Sequence, residues 1–205
     1  MSLKPKEIAP CILEFPNAFK TNSFIEDIEN ECRHQFGYLA WHAARVGSFQ
    51  QNRTSPDYRS SLSCDLSVLR TPLEQVSEQR LVPVIEKWNK IHTDLQKTIW
   101  TYRNTYNIEV NEDEGFAINK YGRGAEYRGH VDHAPSNNRI FSMVAFLNDD
   151  FEGGELVFPL FDVSVKPKSG SVILFPSNFP YFHFANSVGK EHNTETKYSL
   201  VTWFR

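Results

Sequence analysis

Apolar residues along this chain recur with two different periods, and the change between them divides it. In residues 7–20, Ile12, Phe15 and Phe19 alternate loosely with polar positions, the mark of an entering strand and turn. Phe24, Ile28 and Cys32 then recur every four residues, behind Thr21, Asn22 or Ser23 as a cap, and predict a helix that Gly37 would end. Residues 38–66 lose this periodicity. Gln, Asn, Arg, Ser and a Pro-Asp pair dominate, and the stretch reads as a long connection, either a functional lid or a solvated loop. Thr71-Pro72-Leu73-Glu74 carries the residues of a helix start, and Pro83 interrupts or restarts that helix. From Leu81 onward, Val84, Ile85, Trp88, Ile91, Leu95, Ile99, Tyr102 and Tyr106 hold helical spacing, which predicts a long amphipathic helix laid against a sheet. Residues 111–115 read as a solvated acidic turn, and beyond it the period falls to two. Residues 116–121 alternate, whereas 140–147 and 172–175 are mostly apolar, as in strands buried on both faces. Strands that follow helices argue against a doubly wound arrangement and fit a double-sheet jelly roll.

Composition narrows the picture. A chain of 205 residues with 40% hydrophobic content suits one domain with a real core. A net charge of −3 offers no basic surface for nucleic acid. The opening residues have no apolar segment behind them, so they do not read as a signal peptide, and no run is long enough to span a membrane. Cys11, Cys32 and Cys64 are odd in number and widely spaced, which argues against a disulfide framework or a metal cluster; three neutral thiols suit a reducing cytoplasm. His92 lies beside the apolar stripe with no second ligand at helical spacing, and reads as structural or surface.

Candidate chemistry enters at His130 and Asp132. Two residues apart on an extended strand, they project from one face and can grip a single ion, with a distant His183 closing the site from another strand. Two neutral imidazoles and one carboxylate on one side of an iron leave positions open, the arrangement suited to non-haem Fe(II) chemistry with O₂. A bare His-x-Asp arises often by chance, and an ordinary His and Asp at a strand end is the alternative. The surrounding motifs weigh more. Tyr121-Gly122-Arg123-Gly124-Ala125-Glu126-Tyr127 precedes the pair, and Asp149-Asp150-Phe151-Glu152-Gly153-Gly154-Glu155-Leu156 follows it. Lys166-Pro167-Lys168-Ser169-Gly170-Ser171, His183 and Lys197-Tyr198-Ser199-Leu200-Val201-Thr202-Trp203 complete the series. In order and approximate spacing it resembles the 2-oxoglutarate/Fe(II)-dependent dioxygenases, specifically their prolyl 4-hydroxylase-like branch, over residues 116–205.

The resemblance implies a fold that is α+β, mainly β: a double-stranded β-helix (jelly roll, cupin-like) buttressed by N-terminal helices. Residues 1–205 would form one domain, with 1–115 as helical support and lid and 116–205 as the metal-binding core. It implies Fe(II) on His130, Asp132 and His183, with 2-oxoglutarate as cosubstrate, O₂, and ascorbate as reductant. His183 is preferred to His192 because residues 175–182 resemble the family's strand and turn before the distal histidine. Lys197 would pair with the far carboxylate of 2-oxoglutarate and Tyr121 would hydrogen-bond beside it, although the loop from His183 to Lys197 is longer than the family's. Tyr127 would sit near iron and substrate as a catalytic residue, Arg139 and Trp203 would line the substrate side, and Arg59 would reach over from the lid. His133 reads as rim, and Gly153, Gly154 and Gly170 as turn glycines.

The implied reaction hydroxylates a C–H bond of a peptidyl proline or other amino-acid-type substrate and releases succinate and CO₂. The substrate would be a peptide or a small molecule, with neither nucleic acid nor membrane as partner. Asp132, where related halogenases keep a small residue, favours hydroxylation. Three other readings stay open. A nucleic-acid demethylase would use a pair of arginines where Lys197 and Trp203 stand. A catalytically silent jelly-roll binding module would not hold iron. A cupin-type isomerase would not depend on 2-oxoglutarate.

Overall fold

The computed structural model describes residues 4–46, 53–189 and 195–205. A hairpin of β1 (Lys6–Ala9) and β2 (Ile12–Phe15) opens the chain, turning through Cys11 at φ 58. α1 (Phe24–Arg33) follows and buries Phe24 and Ile28, as the four-residue spacing predicts. It ends at Arg33 rather than Gly37, because His34 turns extended; the Gly37 N–H donates to His34 O in the turn beyond.

The region read as one long connection is partly sheet. It holds β3 (His42–Ala43), β4 (Arg45–Val46), β5 (Arg53–Thr54) and β6 (Leu62–Asp65). Only Cys64 of β6 is fully buried, so its sequence shows no alternation to detect. The Thr71-Pro72 signal yields no α-helix, only a 3₁₀ turn over Leu73–Gln75 that runs out into extended backbone at Val76. The long helix α2 (Val82–Tyr106) starts later, with Pro83 in its first turn where a missing N–H costs nothing. Pro83 therefore starts the helix. The predicted apolar stripe is its buried face, and Trp88 stacks on Phe24 with ring centroids 6.1 Å apart. Complete burial of such side chains contributes about 1.5–3 kcal/mol each before entropy is counted.

The remaining strands are β7 (Ala117–Tyr121), β8 (Tyr127–His130), β9 (Phe141–Phe146), β10 (Leu156–Phe158), β11 (Val163–Val165), β12 (Val172–Pro176), β13 (His183–Ala185) and β14 (Lys197–Phe204). Among the described residues the larger sheet runs β1-β2-β12-β9-β14-β7-β6-β3 and the smaller β11-β10-β13-β8, all antiparallel, with β4 and β5 as a separate pair. β9 and β12 are buried on both faces, as their composition predicts. Phe141, Ala145, Val172 and Leu174 pack with α1 and α2, while Phe146, Ile173 and Phe175 pack with Leu156 and Phe158 of the smaller sheet. Two antiparallel sheets braced by helices make the mainly-β jelly roll that the strand pattern predicts. The N-terminal segment does more than brace it, because β2 and β6 are strands of the larger sheet.

Two further details differ from the sequence reading. The acidic turn is not simply solvated: Glu112 pairs with Arg205, Asp113 with Arg70 and Glu114 with Arg139. Cys32 and Cys64, far apart in sequence, bring their Sγ atoms to 3.9 Å between α1 and β6. His92 packs against the Trp88 and Phe116 rings, a structural place on the helix. No helix among the described residues is long and apolar enough to cross a membrane.

Candidate active site

His130 closes β8 and His183 opens β13, and the two are direct cross-strand partners with ring centroids 4.3 Å apart. The histidine that is distant in sequence is thus a neighbour on the sheet. Asp132 lies two residues past the end of β8, in a bend rather than on the strand. Its backbone N–H and that of His133 both donate to Ser177 O, at 3.0 and 2.9 Å. This bend turns the carboxylate to the rings: Oδ1 is 3.4 Å from His130 Nε2 and Oδ2 is 3.6 Å from His183 Nε2.

The outer partners fix each donor. His130 Nδ1 lies 2.8 Å from Arg128 O, and His183 Nδ1 lies 3.0 Å from Tyr181 O. A carbonyl can only accept, so the proton sits on Nδ1 and the Nε2 lone pairs face inward. Ser142 Oγ donates to Asp132 Oδ2 at 2.7 Å and stands 2.7 Å from Ser177 Oγ. Burial works to raise the Asp132 carboxyl, but His183, His130 and the Ser142 hydroxyl together hold it well below the carboxylate range. Burial lowers His183 to about 4, against the pull of Asp132. One ligand atom from each of the three lies within 4.8 Å of the others, so the donor set fits a single metal ion.

Beside the triad is a cavity walled by one face of β14 and β7. Lys197, Ser199, Val201 and Trp203 alternate along one strand, and Asn119 and Tyr121 along the other. Lys197 pairs directly across from Tyr121, its Nζ 5.1 Å from the ring centroid. It is 2% exposed, and Nζ donates to Gly154 O at 2.5 Å. Gly154 has φ +66, and a Cβ there would stand 3.0 Å from Lys197 Cδ, so this turn glycine also makes room for the lysine stem. No carboxylate pairs with Lys197 among the described residues. Burial pushes its ammonium down to about 7, with Glu155 opposing. Asn119 is 3% exposed, and its Oδ1 has no hydrogen-bond partner among the described residues.

The Tyr127 ring stacks on His130 at 3.8 Å, and the Arg59 guanidinium lies 4.5 Å over Tyr127. Burial pushes the Tyr127 hydroxyl above its usual range, against the lowering effect of Arg59. Arg59 is held here because its segment is joined to β8: Tyr58 OH donates to Gly129 O at 2.5 Å, and Arg128 N–H donates to Tyr58 O at 2.9 Å. Arg139 stacks 3.9 Å over Trp203 while Glu114 clamps its guanidinium at 2.6 to 3.1 Å. His133 Nδ1 stands 3.1 Å from Arg139 O. His192 lies outside the described residues.

Of the nine residues singled out in sequence, His130, Asp132, His183, Lys197, Tyr121, Tyr127, Arg59 and Trp203 border the inner cavity. Arg139 borders the groove that continues from it, with Arg59, Tyr127, Asp132 and Trp203 shared by both. Sequence reasoning missed Asn119, Ser142, Ser199 and Glu114. Asn119 and Ser199 stand two residues from Tyr121 and Lys197 on the same strands, so strand period alone puts them on the same wall.

Residues 116–205 match the model of the 2OG-Fe(II) oxygenase superfamily. The likeness over this segment is to that superfamily and, through curated relatives, to prolyl 4-hydroxylases. Chicken (Gallus gallus) prolyl 4-hydroxylase subunit alpha-1 is 29% identical over 84 residues, covering 36% of this chain and 16% of that protein. Arabidopsis thaliana probable prolyl 4-hydroxylase 9 is 33% identical over 95 residues, covering 36% and 33%. The matched part is thus a sixth to a third of those relatives' length. Among solved structures, a Trichoplax adhaerens prolyl hydroxylase in complex with a hypoxia inducible factor peptide fragment matches with TM-score 0.69 at 14% identity, covering 94% of this chain and 82% of that one. A Pseudomonas putida prolyl-4-hydroxylase matches with TM-score 0.62 at 18% identity, covering 95% and 92%. These structures share its fold.

Proposed function

We propose that the protein is an Fe(II)- and 2-oxoglutarate-dependent dioxygenase. In this reading it hydroxylates a C–H bond of a peptidyl proline or other amino-acid-type substrate and releases succinate and CO₂. One observation carries it: a metal-fitting triad and a buried lysine with no carboxylate partner among the described residues line the same cavity. A buried ammonium without an anion is costly, and a dicarboxylate that reaches the metal at one end would compensate it at the other. The curated relatives named prolyl 4-hydroxylases support the choice of reaction.

In this proposal His130, Asp132 and His183 hold Fe(II). Lys197 takes the far carboxylate of 2-oxoglutarate, with Tyr121 and Asn119 beside it. Bound there, Fe(II) and 2-oxoglutarate supply the O₂-dependent oxidative decarboxylation that drives hydroxylation. The chain's own residues orient and enclose. Arg128 O and Tyr181 O keep the imidazole protons on Nδ1, and Ser142 holds the Asp132 carboxylate in place. Tyr127 covers His130 and shields the metal side from water. Arg139, Trp203 and Arg59 border the substrate, Arg139 with its orientation fixed by Glu114. Ascorbate serves as external reductant, and the substrate is a peptide or a small molecule. We take residues 1–205 as one working domain, and the cytoplasm as its compartment, which suits the free thiols of Cys11, Cys32 and Cys64.

The test is succinate formation by purified protein with Fe(II), ascorbate and 2-oxoglutarate, with and without proline-rich peptides. Stimulation by a peptide that gains one oxygen, lost in His130→Ala and Lys197→Ala, is the expected result. Turnover that no peptide stimulates would move the substrate to small amino-acid-type molecules. No turnover together with no bound metal would leave the silent binding module.

A further inference from the structure

We propose that Arg59 makes this a site for an anionic substrate, one bearing a carboxylate close to the reacting carbon, received where the inner cavity meets the outer groove. This rests on the oxygenase reading above and names the chemical class that its substrate side accepts.

Arg59 is 9% exposed and borders both the inner cavity and the outer groove. Its fixed partners are all neutral. Nε donates to Ser61 Oγ at 3.2 Å, Nη1 donates to Arg45 O at 3.0 Å, and the Tyr127 ring lies 4.5 Å below. Nη2 has no hydrogen-bond partner among the described residues, and no carboxylate there lies within ion-pair distance. A cation this deeply buried and left uncompensated is costly, and burial is repaid when a counter-ion completes the pair.

Two neighbouring cations of the groove are not in this state. Arg139 is matched by Glu114 and Arg205 by Glu112. The remaining carboxylate of the wall, Asp132, is turned to the two imidazoles. The groove therefore has its spare charge at Arg59, with exposed Arg45 beside it, also without an ion pair among the described residues. A guanidinium with a free edge takes a carboxylate through two parallel hydrogen bonds. Position then sets where the substrate carries that group. Arg59 lies over Tyr127, and Tyr127 lies over His130, at 4.5 and 3.8 Å. Only one aromatic ring separates the guanidinium from a metal ligand, so the carboxylate belongs within a few atoms of the carbon that is hydroxylated. The carboxylate itself is unchanged by the reaction.

A free amino acid and an acidic peptide share this chemistry, and matched pairs distinguish them. The Mn(II)-substituted protein, saturated with 2-oxoglutarate so that the Lys197 site is filled, is titrated calorimetrically with four probes. These are L-proline against L-prolinamide, and end-blocked Gly-Asp-Pro-Gly against end-blocked Gly-Asn-Pro-Gly. In at least one pair the carboxylate member is expected to bind about 10- to 100-fold tighter, as charge-assisted hydrogen bonds require. That ratio is expected to fall towards one in Arg59→Gln and to recover partly in Arg59→Lys, which keeps the charge without the fork. A purely structural role would weaken both members alike and leave the ratio unchanged. Equal binding within both pairs, no binding by either carboxylate member, or a ratio unchanged in Arg59→Gln each overturns the proposal. Binding of 2-oxoglutarate to the same Mn(II) protein is measured first. Its failure would sink the oxygenase reading, whereas its success with no carboxylate preference would sink this inference alone.

Discussion

If Lys197 takes the far carboxylate of 2-oxoglutarate, as proposed, its burial predicts proton uptake on binding. Its ammonium is lowered from 10.5 to about 7, which corresponds to roughly 5 kcal/mol of unfavourable charge burial at about 1.36 kcal/mol per pH unit. At pH 8 a group with this pKa is about nine-tenths neutral, yet only the charged form can pair with a carboxylate. Binding at pH 8 should therefore take up close to one proton per chain, and at pH 6 about a tenth of one. The apparent Kd should be about tenfold weaker at pH 8 than at pH 6 from this linkage alone. Titration calorimetry of the Mn(II) protein in two buffers of different ionisation enthalpy measures the uptake, with Lys197→Met as the reference that removes linkage from other groups. An uptake at pH 8 that is equal in both proteins would refute the assignment of the cosubstrate's far carboxylate to Lys197.

Other outcomes follow from the same geometry. Without cosubstrate the unfolded chain keeps the Lys197 proton to about pH 10.4 and the folded chain only to about 7, so this group makes stability rise with pH across that window. Lys197→Met should thus raise the melting temperature at pH 6 by several degrees and much less at pH 10, although Gly154 O loses its donor. Ser142→Ala removes the hydroxyl from Asp132 Oδ2 and should weaken Mn(II) binding about 10- to 100-fold, measured by electron paramagnetic resonance. Glu114→Gln leaves Arg139 without its counter-ion beside Trp203; the KM for substrate should rise while 2-oxoglutarate affinity stays constant, which steady-state kinetics would separate. Phe141→Ala, in the middle of the larger sheet at 0% exposure, should cost about 3–5 kcal/mol in denaturant unfolding.

What could be read from sequence depended on how much of each signal is local. The long helix was legible because Val84 to Tyr102 repeat one period over several turns, and β9 and β12 because burial on both faces leaves them mostly apolar. The triad was legible as a motif, but its geometry was not. Strand register makes His183 the direct partner of His130, and a bend held by Ser177 O aims Asp132. Thr71-Pro72-Leu73-Glu74 has a helix start's residues without the tertiary packing that would propagate a helix there. β6 was missed because pairing with β7 makes it a strand, and its own residues carry almost no pattern. Glu114 looked like one more acid in a polar turn. Its place beside Arg139 depends on a contact 25 positions away in the chain.

The most direct measurement of the central claim is a single turnover. The protein is loaded anaerobically with one equivalent each of Fe(II) and 2-oxoglutarate, with ascorbate present to take up the remaining two oxidising equivalents of O₂, then exposed to O₂ and quenched for succinate, with His130→Ala beside it. The account requires succinate approaching one per chain in the wild type and only background in the variant. Fe(II) bound stoichiometrically with no succinate formed, or equal succinate in His130→Ala, would contradict it.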